Sequence, residues 1–224
     1  AFAAVAVATL GLGIGTTTAI FAVTDRVLLR PVANVDPDRL AVIWETPPNH
    51  PSPIMFASPP NLYEWQRRSR RFTAMGGFQW RDVTLGGGDP VRIRGARVTA
   101  GLLTALGVQP RIGRLFLPEE DRANARAVVI ISDGLWRRRF QQDPAIAGRT
   151  IHIDGTPTEI VGVMPPDFAC PPAVALRGVP PAEPAELWLP HGTNLEAGQR
   201  GAHYLAVIGR LNAAATFGAA NRDM

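Results

Sequence analysis

Ala127–Val163 reads AVVIISDGLWRRRFQQDPAIAGRTIHIDGTPTEIVGV. The segment opens with five apolar residues, a run typical of a buried strand. Ser132 then occupies the position of a helix N-cap, and the inward-facing apolar side chains that follow are Leu135, Trp136 and Phe140. Asp154-Gly155 stands between two further strand-like runs and is typical of a tight β-hairpin. A strand, a helix and a hairpin in direct succession indicate an α+β domain.

The sequence before this segment continues the mixture of strands and helices. Leu40–Trp44 predicts a buried strand, and Ser58 predicts the start of a helix of about 13 residues. The apolar stripe of that helix would consist of Leu62, Trp65, Ser69 and Phe72. The glycine-rich turn Gly86–Pro90 predicts a hairpin, and a change of hydrophobic phase after Trp80 predicts a bulge or bend near Arg81-Asp82.

Local signals also define the remaining elements. Ala100–Leu106 predicts a short helix that ends at Gly107, and Tyr204–Leu211 predicts a last strand. Phe217–Met224 predicts the beginning of a helix that the chain end truncates. Proline is dense between residues 47 and 60 and between residues 165 and 190. These two crossings predict two subdomains, with the last strand returning to the first of them.

The N-terminal segment differs sharply from the rest of the chain. Residues 1–24 carry no charged side chain, whereas the other 200 residues carry all 23 basic and all 19 acidic ones. As a helix, residues 1–24 would span about 36 Å, enough for a hydrocarbon core of about 30 Å. A transmembrane helix is the favoured interpretation. A buried core helix and a signal peptide stay open, although a signal peptide needs a charged start that this chain lacks. The missing start methionine leads us to expect an upstream part.

Two glycines in this segment are candidate packing residues. Gly11 and Gly15 are four residues apart and therefore share one helix face, as in small-xxx-small contacts between membrane helices. A phosphate-binding loop is disfavoured, because no strand pattern precedes the glycines and their spacing is not GxGxxG.

Composition excludes several classes of function. All 23 basic residues are arginine, and the formal net charge is only +4. The densest arginine clusters, Arg67–Arg71 and Arg137–Arg139, fall within amphipathic helix patterns, so we predict solvated helix faces rather than a nucleic-acid interface. Cys170 is the only cysteine, and the four histidines show no metal-ligand spacing. No cofactor or metal site is expected.

No catalytic constellation is predicted either. Ser132 lacks the GxSxG context of a nucleophile, so a capping role is favoured. Glu119, Glu120 and Asp121 are consecutive and do not converge on one point by helical spacing. GxxxxGK[ST] is absent from the sequence, so the chain has no P-loop of its own.

A series of short phrases resembles the MacB-type ABC transporter permeases of the FtsX-like permease superfamily. The phrases occur in the order of that family: Leu12–Gly15 with Thr18–Phe21, Val27–Pro31, Asp36–Leu40, Arg94–Val98, Leu106–Val108, Pro118–Asp121, Ile131–Trp136, Gly148–Thr150 and Val161–Pro166. The acidobacterial-type duplicated permeases are the branch that the chain resembles most. Where the family usually has an Arg-Leu-Lys-Pro-Gly turn, this chain reads Arg210-Leu211-Asn212-Ala213-Ala214-Ala215.

The resemblance implies a membrane helix followed by a two-subdomain periplasmic core. Residues 1–31 would form the helix and its exit, and residues 32–98 the first part of a porter-like subdomain. Residues 99–190 would be an inserted mixed α/β subdomain, and residues 191–224 the truncated return to the porter-like unit. The bulk of the chain would then lie outside the inner membrane of a bacterium.

The same resemblance implies a transport role without catalysis. A separate cytoplasmic ABC ATPase would drive the membrane helices, and the periplasmic core would transmit that motion to export or extraction of a substrate. Expected partners are the membrane, a second permease or permease half in a homodimer or pseudo-dimer, and a periplasmic adaptor; nucleic acid is not expected. Two alternatives stay open: a membrane-tethered binding or sensor module not coupled to ATP, and a membrane-anchored enzyme.

We predict that replacing both Gly11 and Gly15 with Leu weakens assembly of the membrane part, because the larger side chains keep neighbouring helices apart. The soluble domain should stay folded. Crosslinking of the assembled permease in membranes measures the effect, and an unchanged crosslinking yield would refute it.

Overall fold

The structure is a computed structural model that describes residues 37–46, 55–166, 168, 170 and 184–223. Residues 1–36, and with them Gly11, Gly15 and the predicted membrane helix, lie outside the described residues. Among the helices of the described part, none is long and apolar enough to cross a membrane.

The described elements alternate between strands and short helices, which confirms the mixed α+β class. The strands are β1 (Leu40–Ile43), β2 (Phe72–Leu85), β3 (Val91–Val98), β4 (Ile112–Gly113), β5 (Val128–Ile131), β6 (Thr150–Ile153), β7 (Thr156–Val163), β8 (Leu187–Pro190) and β9 (Ala206–Leu211). The α-helices are α1 (Pro59–Arg68), α2 (Ala100–Leu106), α3 (Asp133–Phe140) and α4 (Phe217–Asp223). Short 3₁₀ turns cover Pro37–Arg39 and Pro118–Glu120.

Within the described residues these strands form one sheet. Its order is β1-β9-β2-β3-β8-β5-β7-β4, and β6 pairs with both β2 and β7. The β3–β8 and β5–β7 pairs are parallel and the other pairs are antiparallel. Because β6 returns to β2 at the Leu85–Ile153 pair, the path β2-β3-β8-β5-β7-β6 closes on itself. We call this six-stranded ring the barrel.

The barrel encloses a hydrophobic cluster to which every one of its strands contributes. The strand residues in this cluster are Val83, Leu85, Ile93, Val129, Ile131, Ile151, Ile153, Ile160, Val163 and Leu187. Helix α3 adds Leu135, Trp136 and Phe140. Ser132 Oγ accepts a hydrogen bond from the Leu135 N–H at 3.0 Å, which confirms the predicted N-cap.

A second cluster lies on the outer face of the same sheet. Phe78, Ala96, Ile130 and Trp188 point there, because successive strand residues face opposite sides. Helix α2 covers this face with Leu102, Leu103 and Leu106 and ends, as predicted, at a left-handed Gly107 with φ of 68°.

The change of face along β2 corrects one prediction. The sequence predicted a bulge or bend near Arg81-Asp82, and the bulge is absent, because the β2–β3 register is regular from Phe78↔Val98 to Leu85↔Val91. The hydrophobic phase shifts because Phe78 packs against the outer cluster, whereas Val83 and Leu85 point into the barrel. The irregularity in β2 lies instead between Phe72 and Ala74, opposite β9.

The predicted helix after Ser58 is also shorter than expected. Helix α1 ends at Arg68, and Ser69 is already extended with ψ of 126°. Phe72 was assigned to the helix, but it begins β2 and pairs with Leu211 of β9. Pairing with a distant strand therefore outweighs the local helical periodicity. Ser58 does occupy the N-cap position, but its side chain makes no capping hydrogen bond.

Helices α1 and α2 pack on opposite faces of the start of β2, at two adjacent glycines. A Cβ added at Gly76 would lie 2.1 Å from the backbone nitrogen of Leu102 in α2, and one at Gly77 would lie 3.2 Å from Leu62 in α1. Gly101 of α2 is equally close to β2, since its Cβ would lie 2.4 Å from the Met75 carbonyl oxygen. The backbone of α2 thus rests directly on the strand, which side chains would prevent.

We expect Gly76→Ala to lower the free energy of unfolding by about 2–3 kcal/mol, because the added methyl group overpacks a backbone contact. Gly201→Ala is the matched control, since a Cβ there meets nothing within 4 Å; its effect should stay within about 0.5 kcal/mol. Urea unfolding of the full chain in a neutral detergent, followed by tryptophan fluorescence, measures both. Equal stability of the two variants would contradict the close contact.

Candidate functional site

The start and the end of the described domain meet at one corner of the sheet. Leu40, the first residue of β1, pairs with Arg210 near the end of β9. The Arg39 guanidinium donates to the Leu211 carbonyl oxygen from Nε at 3.1 Å and from Nη2 at 2.6 Å. The first and the last described strands therefore meet at this corner, and a two-pronged hydrogen bond joins them.

Asn212 forms the turn at this corner. Its side-chain oxygen accepts from the Ala214 N–H at 3.1 Å, and its carbonyl oxygen accepts from the Ala215 N–H, also at 3.1 Å. Its side-chain amide donates to the Arg70 carbonyl oxygen at 2.8 Å. Asn212 thus builds a turn in which the side chain mimics backbone.

Arg210 links the corner to helix α2. Its Nε donates to the Ala105 carbonyl oxygen at 2.6 Å and its Nη2 to the Leu106 carbonyl oxygen at 3.1 Å. Both acceptors lie in the last turn of the helix, where carbonyl groups lack intrahelical partners. A displacement of the end of β9 would therefore act directly on α2.

An apolar cleft opens beside the same corner. Its volume is about 930 Å³, and its lining includes Trp65, Phe72 and Phe217. Phe217 at the start of α4 is 52% exposed, and Val42 of the edge strand β1 is 38% exposed. The domain therefore presents apolar surface next to its chain ends.

A second feature lies at one end of the barrel, where a pocket of about 290 Å³ is lined by four arginines. Arg81 comes from β2 and Arg97 from β3, while Arg122 and Arg126 belong to the loop before β5. The floor is formed by Val128, Ile153 and Leu189. We call this feature the barrel mouth.

Two of these arginines already have carboxylate partners. Arg81 pairs with Asp154 at 3.4 Å, and Arg126 pairs with Glu159. Glu120, which also lines the pocket, is held by two hydrogen bonds from Arg114, and this pairing lowers the pKa of its carboxyl group. Among the described residues, Arg97 and Arg122 have no carboxylate within ion-pair distance.

Buried polar groups fix the wall of the mouth behind Arg97. Arg97 Nη1 donates to the His191 carbonyl oxygen at 3.0 Å. Asp121 accepts from the N–H groups of Ala100 at 2.8 Å and Gly192 at 2.9 Å, and so joins α2 to the segment after β8. Burial raises the pKa of the Asp121 carboxyl group, against these hydrogen bonds, which lower it.

His191 is buried in the same wall. Its ring stacks on Tyr204 at a centroid distance of 5.8 Å, and its Nδ1 has no hydrogen-bond partner among the described residues. Burial first, and the charge of Arg97 second, lower the pKa of His191 to about 4. The imidazole is therefore neutral at pH 7.

The other groups considered from sequence are structural. Asp133 pairs with Arg111 and Arg137, and the Cys170 thiol is fully buried, which raises its pKa. Within the described residues, no three histidine, cysteine, aspartate or glutamate side chains lie close enough together to hold a metal ion.

Sequence reasoning missed both the corner and the mouth. A signal for the mouth does exist in β3, where Arg92 and Arg94 share one face and Arg97 lies on the other. A charged residue on the face that otherwise points into a core is unusual. The partners of Arg39 and Arg210 are separated from them by more than 100 residues, and no local pattern indicates them.

Comparison with known proteins assigns the family. The chain matches the MacB-like periplasmic core domain over residues 3–224 and belongs to that family. The fold resembles the extracellular domain of the noncanonic ABC-type transporter YknZ from Gram-positive bacteria, with 14% identity, a TM-score of 0.52, and coverage of 78% of this chain and 84% of that one. It also resembles the periplasmic region of MacB from Actinobacillus actinomycetemcomitans, with 11% identity, a TM-score of 0.57, and coverage of 87% and 84%. Among curated proteins, none matches this sequence.

These findings give the coarse role of the chain. It is a periplasmic domain of a MacB-like ABC transporter permease. The resemblance seen in the sequence phrases is confirmed at the level of the family.

The lowered pKa of His191 predicts a pH dependence of stability. In the unfolded chain His191 takes up a proton near pH 6.5, but in the fold only near pH 4. Between these pH values the unfolded state binds more protons than the folded state. The contribution of the neutral imidazole to the free energy of unfolding is therefore complete above pH 6.5 and is lost as the pH falls towards 4. We expect a loss of about 3 kcal/mol from this residue.

Urea unfolding of the full chain in neutral detergent at pH 7 and pH 4 measures the loss, with His191→Phe as the reference. Phenylalanine keeps a ring against Tyr204 and does not titrate. The wild type should lose about 3 kcal/mol more than the variant over this range. Equal losses would refute the assignment.

Proposed function

We propose that this chain is the periplasmic core segment of an ABC transporter permease and transmits ATP-driven motion of the membrane helices to export or extraction of a substrate. The observation that carries the proposal is the corner where the first described strand, β1, meets the end of the last one, β9. A domain inserted between two membrane segments receives their motion at those two points. Here Arg39 and the Leu40–Arg210 pair hold the two points together.

The domain has the connections that such transmission needs. From the corner, Arg210 contacts α2, and β2 leads from the corner to the barrel as a single strand whose register shifts between Phe72 and Ala74. The contact of Gly76 with the backbone of α2 leaves little room for sliding between helix and strand. The domain would therefore move as a rigid body rather than bend.

Residues 1–24 would supply the membrane helix, with Gly11 and Gly15 as its packing face. The segment would sit in the inner membrane of a bacterium, with the rest of the chain outside. The proposed division is residues 32–98 and 191–224 for the porter-like unit and residues 99–190 for the insertion. That insertion supplies β5, β6, β7 and β8 of the barrel.

The proposed partners follow from the family. A separate cytoplasmic ABC ATPase would provide the energy. A second permease, or a second half in an acidobacterial-type duplicated permease, would complete a dimer or pseudo-dimer. A periplasmic adaptor would dock on the core domain.

The test is ATP turnover by the complete permease, reconstituted with its ATPase in liposomes. Turnover is compared with and without the segment Val35–Met224. We expect turnover, or its response to substrate, to depend on the segment. If neither ATP turnover nor its response to substrate depends on the segment, the result would favour a membrane-tethered binding or sensor module not coupled to ATP.

A point variant sharpens this test. Arg39→Ala removes the two hydrogen bonds at the corner and should reduce the dependence of ATP turnover on the segment, while the domain still folds. Arg92→Ala is the matched control, because Arg92 lies on β3 and its side chain is 79% exposed. The same effect from both variants would argue against force entering at the corner.

A further inference from the structure

We propose that the barrel mouth binds a small organic anion that carries a phosphate or carboxylate group and a short apolar part. The proposal is independent of ATP coupling. It rests on the charges, the shape and the position of the pocket defined above by Arg81, Arg97, Arg122 and Arg126.

The first argument is charge. Arg97 and Arg122 line the pocket, and neither has a carboxylate partner among the described residues. Glu120 is bound by Arg114, while Asp154, which is shared by Arg81 and the Thr84 N–H, also attracts Arg97 and offsets its charge in part. The pocket therefore holds an excess of positive charge that an anion would neutralise.

The second argument is the chemistry of the donors. A guanidinium group presents a planar fork of N–H donors that matches the oxygens of phosphate and carboxylate. Arg97 is half-buried, and its position is fixed by its bond to the His191 carbonyl oxygen. Burial first, and the charge of Arg81 second, lower the pKa of Arg97, and the carboxylate of Asp154 raises it; an anion placed beside both arginines would add to the attraction that Asp154 provides.

The third argument is the shape. The volume of about 290 Å³ is near the lower end of the range of ligand pockets, and the mouths of β-barrels are among their preferred places. The floor of Val128, Ile153 and Leu189 is apolar, while the arginines form the rim. This arrangement accommodates a ligand with an anionic head and an apolar body of a few carbon atoms.

The test uses n-butyl phosphate as the probe, titrated into the full chain in neutral detergent and followed by isothermal titration calorimetry. We expect saturable binding with one site per chain. Inorganic phosphate should bind more weakly because it leaves the apolar floor uncovered, and n-butanol should not bind. Absence of saturable binding of n-butyl phosphate at millimolar concentration overturns the proposal.

Arg122→Gln is the decisive variant, because its side chain is exposed and makes no hydrogen bond among the described residues, so its loss does not threaten folding. Binding should weaken by about tenfold, as expected for the loss of one hydrogen bond between charged groups. Arg68→Gln removes the same charge from an exposed site in α1, outside the pocket. Equal weakening by both variants indicates unspecific attraction and overturns the proposal.

A lipid headgroup offers the same phosphate chemistry, so vesicles containing phosphatidic acid form a separate arm. Two results together support a free anion as the ligand: the soluble probe binds, and the vesicles compete with it no better than their headgroup concentration predicts. Binding of vesicles alone overturns the proposal in favour of a membrane contact.

Discussion

The continuity of β2 is the constraint on which the rest of the structure depends. This strand of 14 residues pairs with β9 along its first half, with β3 along its second half, and with β6 at its end. Its first half is covered by α1 and α2 on opposite faces, and its second half forms a wall of the barrel. Two differently packed regions therefore share one strand, and neither can rotate against the other without breaking its ladder of hydrogen bonds.

Several arginines join distant elements of this fold by donating hydrogen bonds to backbone carbonyl oxygens instead of to carboxylates. Arg39, Arg97 and Arg210 each donate to backbone carbonyl groups of distant segments, at Leu211, His191 and the end of α2. Such bonds satisfy acceptors that secondary structure leaves free, and they do not depend on the ionisation of a partner. The absence of lysine from the sequence fits this use, since an ammonium group cannot present a planar fork.

Elements with local signals could be predicted, and elements defined by distant pairing could not. The left-handed Gly107, the Ser132 cap and the Asp154-Gly155 turn, whose φ angles are 50° and 79°, depend on a few neighbouring residues and were confirmed. Strand β8 was missed within the proline-dense stretch, because its parallel pairing with β3 joins residues about 90 positions apart. The family could be predicted from short sequence phrases that occur in the family's order. The corner and the barrel mouth could not, because they depend on which side chains the closed sheet brings together.

The corner and the barrel mouth, for which different roles are proposed, lie on the same strand. Phe72 at the corner and Arg81 at the mouth are nine residues apart on β2, which corresponds to about 30 Å of extended chain. Communication between two such sites requires an element with two discrete arrangements. Apart from the register shift between Phe72 and Ala74, the strand between them is regular and is fixed by glycine contacts with α2, so it offers no second arrangement there. An anion bound at the mouth would therefore be carried by the motion of the domain without altering how that motion is received at the corner.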